Sequence, residues 1–293
     1  MSTRKWIVAA IAVLLGLCVL VAVVAVPRTP AAQTADVAIL MYHAFTENEA
    51  ETSSACTLAS EFERQLSALR DAGYTSVGYA DLIKFVNGKG KLPEKPLLIS
   101  IDDGYQNNLD LAAPLLEKYG FCANIAVIGV SIGHTTYKDT DIPIMPHFSL
   151  EDARPWIERG VLTVTTHSYD MHQVTAVDGA GCRRGVLQMR GEAEPDYIAT
   201  LTQDYKHAQE QLAGLPGKVL PVFTYPFGAY SELSERVLQE QGVQVTVTIA
   251  NGANRLVKGE PETLRLLHRI HVWRGTKPDM LLSRIDGALQ ALR

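Results

Sequence analysis

A distorted (β/α) barrel is the α/β fold class this sequence predicts, and two observations carry it. Short β-prone runs alternate with helical patterns from about residue 37 to the end of the chain. The chemically active residue types gather where those runs stop, which is where a β/α barrel builds its active site from the loops after its strands. The repeats fall short of eight regular units, so an incomplete barrel is expected. An open α/β sheet would share most local assignments, and the motifs must separate the two.

The elements follow in order. Residues 37–43 form the first strand candidate, and Phe62, Leu66 and Leu69 then mark one helical face. A β-prone run at 73–77 and a short helical piece precede a Gly/Pro/Lys-rich loop at 87–96. The clear strand 96–101 ends at Asp102-Asp103-Gly104, and a helix over 109–119 leads through Gly120 into a strand at 122–128. Ser149 and Asp152 stand at capping-box spacing before a helix carrying Trp156 and Ile157. The next strand, 162–166, stops at His167, and a longer helix over 195–215 aligns Ile198, Leu201, Tyr205, Ala208 and Leu212. A run at 222–226 enters the Phe227-Gly228 turn, followed by a helix at 231–240, strands at 243–249 and 266–273, and a last helix at 278–292.

Ahead of this pattern, residues 6–26 form an uncharged apolar run of 21 residues preceded by Arg4 and Lys5 and closed by Pro27-Arg28. That length spans a bilayer, and the leading charges favour a cytoplasmic start. The expectation is an N-terminal anchor or signal segment over 1–28, a linker over 29–36 and one catalytic domain over 37–293. The membrane is then a partner through that helix, and the domain lies on its outer side; a secreted form after signal cleavage is the alternative. Removing Arg4, Lys5 and Arg28 from the 27 Lys plus Arg leaves 24 against 32 Asp plus Glu, a formal charge of −8. Such a surface does not attract nucleic acid. Cys56 and Cys182 lie in polar stretches where a disulfide is an option.

Asp102 and Asp103 end a strand, and because its side chains alternate with a period of two they project differently. One can hold a metal while the other handles a proton. His167 and His172 end another strand, and imidazoles from separate strand ends can converge with a carboxylate on one divalent ion. Taken alone, each pair also fits an ordinary turn or loop.

Together, Asp102-Asp103-Gly104 and His167-Ser168 followed by His172 resemble the motifs of the polysaccharide deacetylases of the NodB-homology, carbohydrate esterase family 4 type. The wider histidine gap, Met41-Tyr42-His43, Phe223 to Gly228 and Arg269-Ile270-His271-Val272 are similar to the branch acting on poly-N-acetylglucosamine. The resemblance implies Asp103, His167 and His172 as metal ligands, with zinc the first choice and cobalt, nickel or manganese compatible. It implies Asp102 as catalytic base and the Tyr105 backbone N–H as an oxyanion donor. The general acid is divided between His268, in a Leu-x-His phrase, and His271; His43 and Tyr225 are expected to contact substrate. The implied substrate is an acetylated polysaccharide outside the cell that contains N-acetylglucosamine. An esterase or non-sugar amidase on the same scaffold, or an inactive carbohydrate-binding protein, are the alternatives. Thr224-Tyr225-Pro226 lacks the arginine that many relatives carry there to orient the base, leaving Arg269, Arg184 and Arg190 as substitutes. His147 sits beside a predicted helix cap, which is a sufficient structural reason for it.

Overall fold

Every residue of the strand Pro96–Asp103 is buried, as a central parallel strand covered on both faces requires. The computed structural model describes residues 33–174 and 182–293. Its strands are β1 (Thr34–Tyr42), β2 (Ala44–Thr46), β3 (Cys56–Leu58), β4 (Thr75–Ser76), β5 (Pro96–Asp103), β6 (Ala123–Val127), β7 (Leu162–Thr166), β8 (Val222–Thr224), β9 (Val245–Val247), β10 (Ala253–Val257) and β11 (Ile270–His271). The α-helices are α1 (Ala59–Asp71), α2 (Tyr79–Val86), α3 (Ala113–Tyr119), α4 (Leu150–Glu158), α5 (Glu194–Leu212), α6 (Glu232–Glu240) and α7 (Pro278–Gln290).

The main sheet runs β10-β1-β5-β6-β7-β8-β9, with β4 on β5 and β11 on β1. Its pairings are parallel except for β10, which lies antiparallel to β1. Leu267 bridges Val247 of β9, and a few residues later β11 pairs with β1, so one short segment spans the gap between the two ends of the curled sheet. The fold is therefore the distorted (β/α) barrel that the alternation of elements predicts.

Strand periodicity divides the core. Ala38, Leu40, Leu97, Ile99 and Ile101 pack with Leu66 and Leu69 of α1, Leu116 of α3 and Ile285 of α7. The alternate residues Val37, Ile39 and Leu98 pack with Val222, Val245, Val247 and Leu267 in a second cluster. The same period of two carries Leu98, Ser100 and Asp102 to one side of β5. Ser149 and Asp152 close the capping box that starts α4, as their spacing predicts.

Several expectations are corrected. Among the described residues no helix is long and apolar enough to cross a membrane, and residues 6–26 lie outside them. The single-pass anchor, the membrane as partner and the placement built on them are therefore not carried further. Cys56 is a free thiol buried in β3, so the bridge to Cys182 does not form. The helix at 109–119 opens with a π-helical turn, Asn108–Ala112, before α3. The strand expected at 266–273 is reduced to Ile270–His271, and Leu266 at the start of the run takes a φ of 54°, outside the extended region. Strand β10 has no counterpart among the predicted elements: it pairs antiparallel with β1, from Thr34 opposite Val257 to Ala38 opposite Ala253, and Arg255 meets Asp36 of β1 at 2.8 Å.

Candidate metal and catalytic site

The site is built where β5 ends. Asp103 has a φ of 73° and Gly104 one of 87°. A Cβ on Gly104 would meet Val127 at 2.8 Å, so the chain turns tightly against β6 at a place only glycine fits. This kink separates the two adjacent carboxylates into different surroundings.

Asp102 is 2% exposed and receives a fork from Arg269, Nη1 to Oδ1 at 2.7 Å and Nη2 to Oδ2 at 2.8 Å. Arg269 is fully buried, and its remaining donors reach the Thr248 carbonyl at 2.8 Å and Ser100 Oγ at 3.1 Å. Burial pushes the Asp102 carboxyl up, but the Arg269 charge, His167 and His43 outweigh it and hold the group well below the usual carboxylate range. Arg184 and Arg190, the other candidates for this role, are exposed. The arginine missing before Pro226 is thus replaced from the far end of the chain, a substitution that spacing cannot reveal.

Asp103 faces the two histidines. Its Oδ1 lies 3.7 Å from His167 Nε2 and 3.6 Å from His172 Nε2, and the three groups offer ligand atoms within 4.8 Å of one another. That Oδ1 is buried and has no hydrogen-bond donor. A buried carboxylate oxygen left without a donor and faced by two imidazole nitrogens fits a divalent cation. His167 Nδ1 donates to the Thr224 carbonyl at 2.8 Å, since a carbonyl only accepts, and this leaves Nε2 with its lone pair toward the cluster. Burial also lowers the His167 pKa to about 4 against the pull of Asp102 and Asp103, so the ring is neutral and able to ligate.

The turn between the histidines is held from α5. Asp204 accepts the backbone N–H groups of Tyr169 at 2.9 Å and Asp170 at 2.7 Å, and Ser168 Oγ accepts from Met171 N–H at 3.1 Å. Burial pushes the Asp204 carboxyl up to about 6 despite those two donors. Sequence reasoning missed this residue; its signal was a carboxylate on the buried stripe that also carries Leu201, Tyr205 and Ala208.

The other expected residues divide. His43 Nε2 lies 3.8 Å from Asp102 Oδ2, and the His43 ring meets the His271 ring at 6.0 Å between centroids. His271 Nε2 is 2.8 Å from the Ser54 carbonyl, and its ring is 5.6 Å from that of Trp273. His268 turns elsewhere: its ring lies against Gly252, and it lines a cleft with Arg284, Ala288 and Leu292. Tyr225 is fully buried and donates to Glu235 at 2.6 Å, so it belongs to the packing under α6. The exposed ring is instead that of Phe227, 4.3 Å from His172. Tyr105 packs its ring on His147 at 4.9 Å.

Comparison with known proteins agrees with this geometry. The family model described as Polysaccharide deacetylase matches residues 89–246, which is more than half of the chain. YxkH of Bacillus subtilis (strain 168) is 27% identical over 234 residues, 80% of this chain and 70% of that protein. The poly-beta-1,6-N-acetyl-D-glucosamine N-deacetylase of Staphylococcus aureus (strain MRSA252) is 22% identical over 185 residues, covering 63% of this chain and 58% of that enzyme, less than two thirds of its length. The structure of a de-N-acetylase from Aggregatibacter actinomycetemcomitans superposes with a TM-score of 0.71 at 19% identity, covering 85% of this chain and all of that one, so the two share a fold. With more than half its length matched by the family model and an Asp-His-His cluster able to hold a divalent ion, the chain belongs to the polysaccharide deacetylase family and is a metal-dependent hydrolase.

Proposed function

We propose that this protein hydrolyses the N-acetyl groups of a polysaccharide containing N-acetylglucosamine, releasing acetate and a free amine. The observation that carries the reading is the division of labour at the end of β5: Asp102 is locked to Arg269, and Asp103 is left open toward His167 and His172. Those three residues would hold the ion, and an oxygen–nitrogen–nitrogen donor set suits zinc. Bound there, zinc supplies Lewis acidity that polarises the acetyl carbonyl and acidifies water.

Asp102 accepts the proton of the attacking water. Its carboxylate is ionised at neutral pH, and the Arg269 fork fixes its plane while each oxygen keeps a second lone pair. As the water oxygen bonds to the acetyl carbon, the Tyr105 N–H is assigned to the oxygen that gains charge. The carbon–nitrogen bond then breaks, and the departing nitrogen takes a proton. We assign that proton to the His43–His271 pair, because His43 is the imidazole beside the base and His271 packs against it.

Two exposed rings support a chain substrate. Phe227 flanks His172 at one end of the row of site residues, and Trp273 flanks His271 at the other. Flat apolar faces on both sides of a reacting acetamide suit successive sugar rings. The similarity to a poly-beta-1,6-N-acetyl-D-glucosamine N-deacetylase supports the same class.

The test is acetate release by the zinc-loaded protein from β-1,6 and β-1,4 N-acetylglucosamine oligomers and from peptidoglycan. Zinc-dependent release from at least one, lost in Asp102→Asn, is expected. A folded, loaded protein that releases acetate only from small esters would overturn the amide reading.

A further inference from the structure

His147 has no part in the chemistry above, and its expected structural reason does not hold. The cap of α4 is closed by Ser149 and Asp152 without it. The residue is only 8% exposed, and neither ring nitrogen, both buried, makes a hydrogen bond of ordinary geometry; the Met145 backbone is the one hydrogen-bonding group near enough to act on the ring. A neutral imidazole carries one donor and one acceptor, and leaving them buried and unmet is unfavourable enough that native proteins rarely do so without a functional reason.

The backbone brings this ring to the site. Gln106 N–H donates to the Pro146 carbonyl at 2.7 Å and Phe148 N–H to the Gly104 carbonyl at 3.2 Å, flanking an antiparallel bridge between Tyr105 and His147. Tyr105 and His147 exchange no hydrogen bond in that ladder, and it is such pairs that bring their side chains closest. The two rings accordingly pack at 4.9 Å, two residues after the ligand Asp103. Asp103 and His172 both lie close enough to act on the His147 ring, and burial, the largest influence, keeps it below the ordinary imidazole range and neutral. It is nevertheless outside the group whose ligand atoms can share one ion.

We propose that His147 is a further catalytic residue, donating a ring N–H to the acetyl oxygen of the bound substrate from the Tyr105 side of the Asp103–His167–His172 cluster. A neutral ring donates without bringing a charge that would repel the ion. A donor already fixed in place strengthens its bond as that oxygen gains charge, which is how a preorganised site favours the transition state over the ground state. The inference rests on acyl hydrolysis at this site and is independent of which polymer is cleaved.

His147→Phe keeps a flat ring against Tyr105 and removes both nitrogens. Zinc affinity, acetate affinity of the zinc-loaded protein and unfolding midpoint are measured alongside acetate release, with His147→Gln as the second variant if the first does not fold. The expected result is unchanged zinc affinity, acetate binding weakened about tenfold and kcat/KM lowered about 10 to 100-fold, with partial recovery in His147→Gln. Acetate binding and kcat/KM within twofold of the parent would overturn the proposal, as would a parallel loss of zinc affinity, which would make His147 a support for the ligands. Acetate binding is read without any polymer, so failure of the N-acetylglucosamine reading leaves this test standing.

Discussion

Asp102 and Asp103 are chemically identical neighbours, and the two walls of the site treat them in opposite ways. On one wall, Arg269 gives Asp102 two charge-assisted hydrogen bonds and is itself satisfied by Thr248 and Ser100. On the other, Asp103 presents a buried oxygen to His167 and His172 and receives no hydrogen there. A carboxylate whose donors are all supplied by protein is fixed in charge and direction, which suits a group that must accept one proton in one place. A buried carboxylate oxygen left without a donor and faced by two imidazole nitrogens fits a cation.

The largest effect expected is a split between turnover and metal binding. Asp102→Asn should lower kcat by about 10² to 10⁴-fold while calorimetric zinc affinity stays near the parent value. Asp103→Asn should instead lose zinc affinity, with turnover restored in part by excess zinc. Equal metal loss in both variants would erase the distinction between the walls.

Stability gives the next contrast. Arg269→Met leaves Asp102 buried and unpaired, and denaturant unfolding of the metal-free protein should show a loss of about 3 to 5 kcal/mol. Asp103→Asn in the same metal-free protein should cost much less, because Oδ1 has no donor to lose and the amide oxygen can still accept from the Tyr105 hydroxyl. The Asp102 carboxyl is depressed in the folded state, so the stability it contributes is present above its unfolded value near 4. That contribution falls away as pH drops toward the folded value, and the gap between parent and Arg269→Met should narrow in the same direction.

The smallest effect concerns the support of the histidine turn. Asp204 has a folded pKa of about 6, raised chiefly by burial. A raised carboxyl contributes its full stability below its unfolded value near 4 and loses it as pH rises through 6. Thermal unfolding should therefore show the parent losing ground to Asp204→Asn between pH 4 and pH 7, by on the order of 2 kcal/mol. A pH-independent difference would mean that the carboxylate is less desolvated than its surroundings indicate.

Sequence alone determined the alternation of strands and helices, the strand ends that carry chemistry and the pairing of an aspartate doublet with two spaced histidines. These follow from local pattern: a short, nearly continuous apolar run for β5 and a period near 3.6 for α5 are written in consecutive residues. Tertiary structure decided the long-range partners. Arg269 lies 167 positions from Asp102, and only curling of the sheet until the segment after Leu267 returns to β1 brings them together. The same segment sends His268 to another cleft and His271 toward His43, the opposite directions that alternation gives residues three apart, but which of the two meets the site depends on where the segment docks on β1. Tyr225 and Phe227 part at their turn: the Phe227 φ of 59° accompanies a ring turned out against His172, while Tyr225 stays in the core under α6. Contacts between residues distant in sequence are set by closure of the whole barrel, and no local pattern encodes that closure.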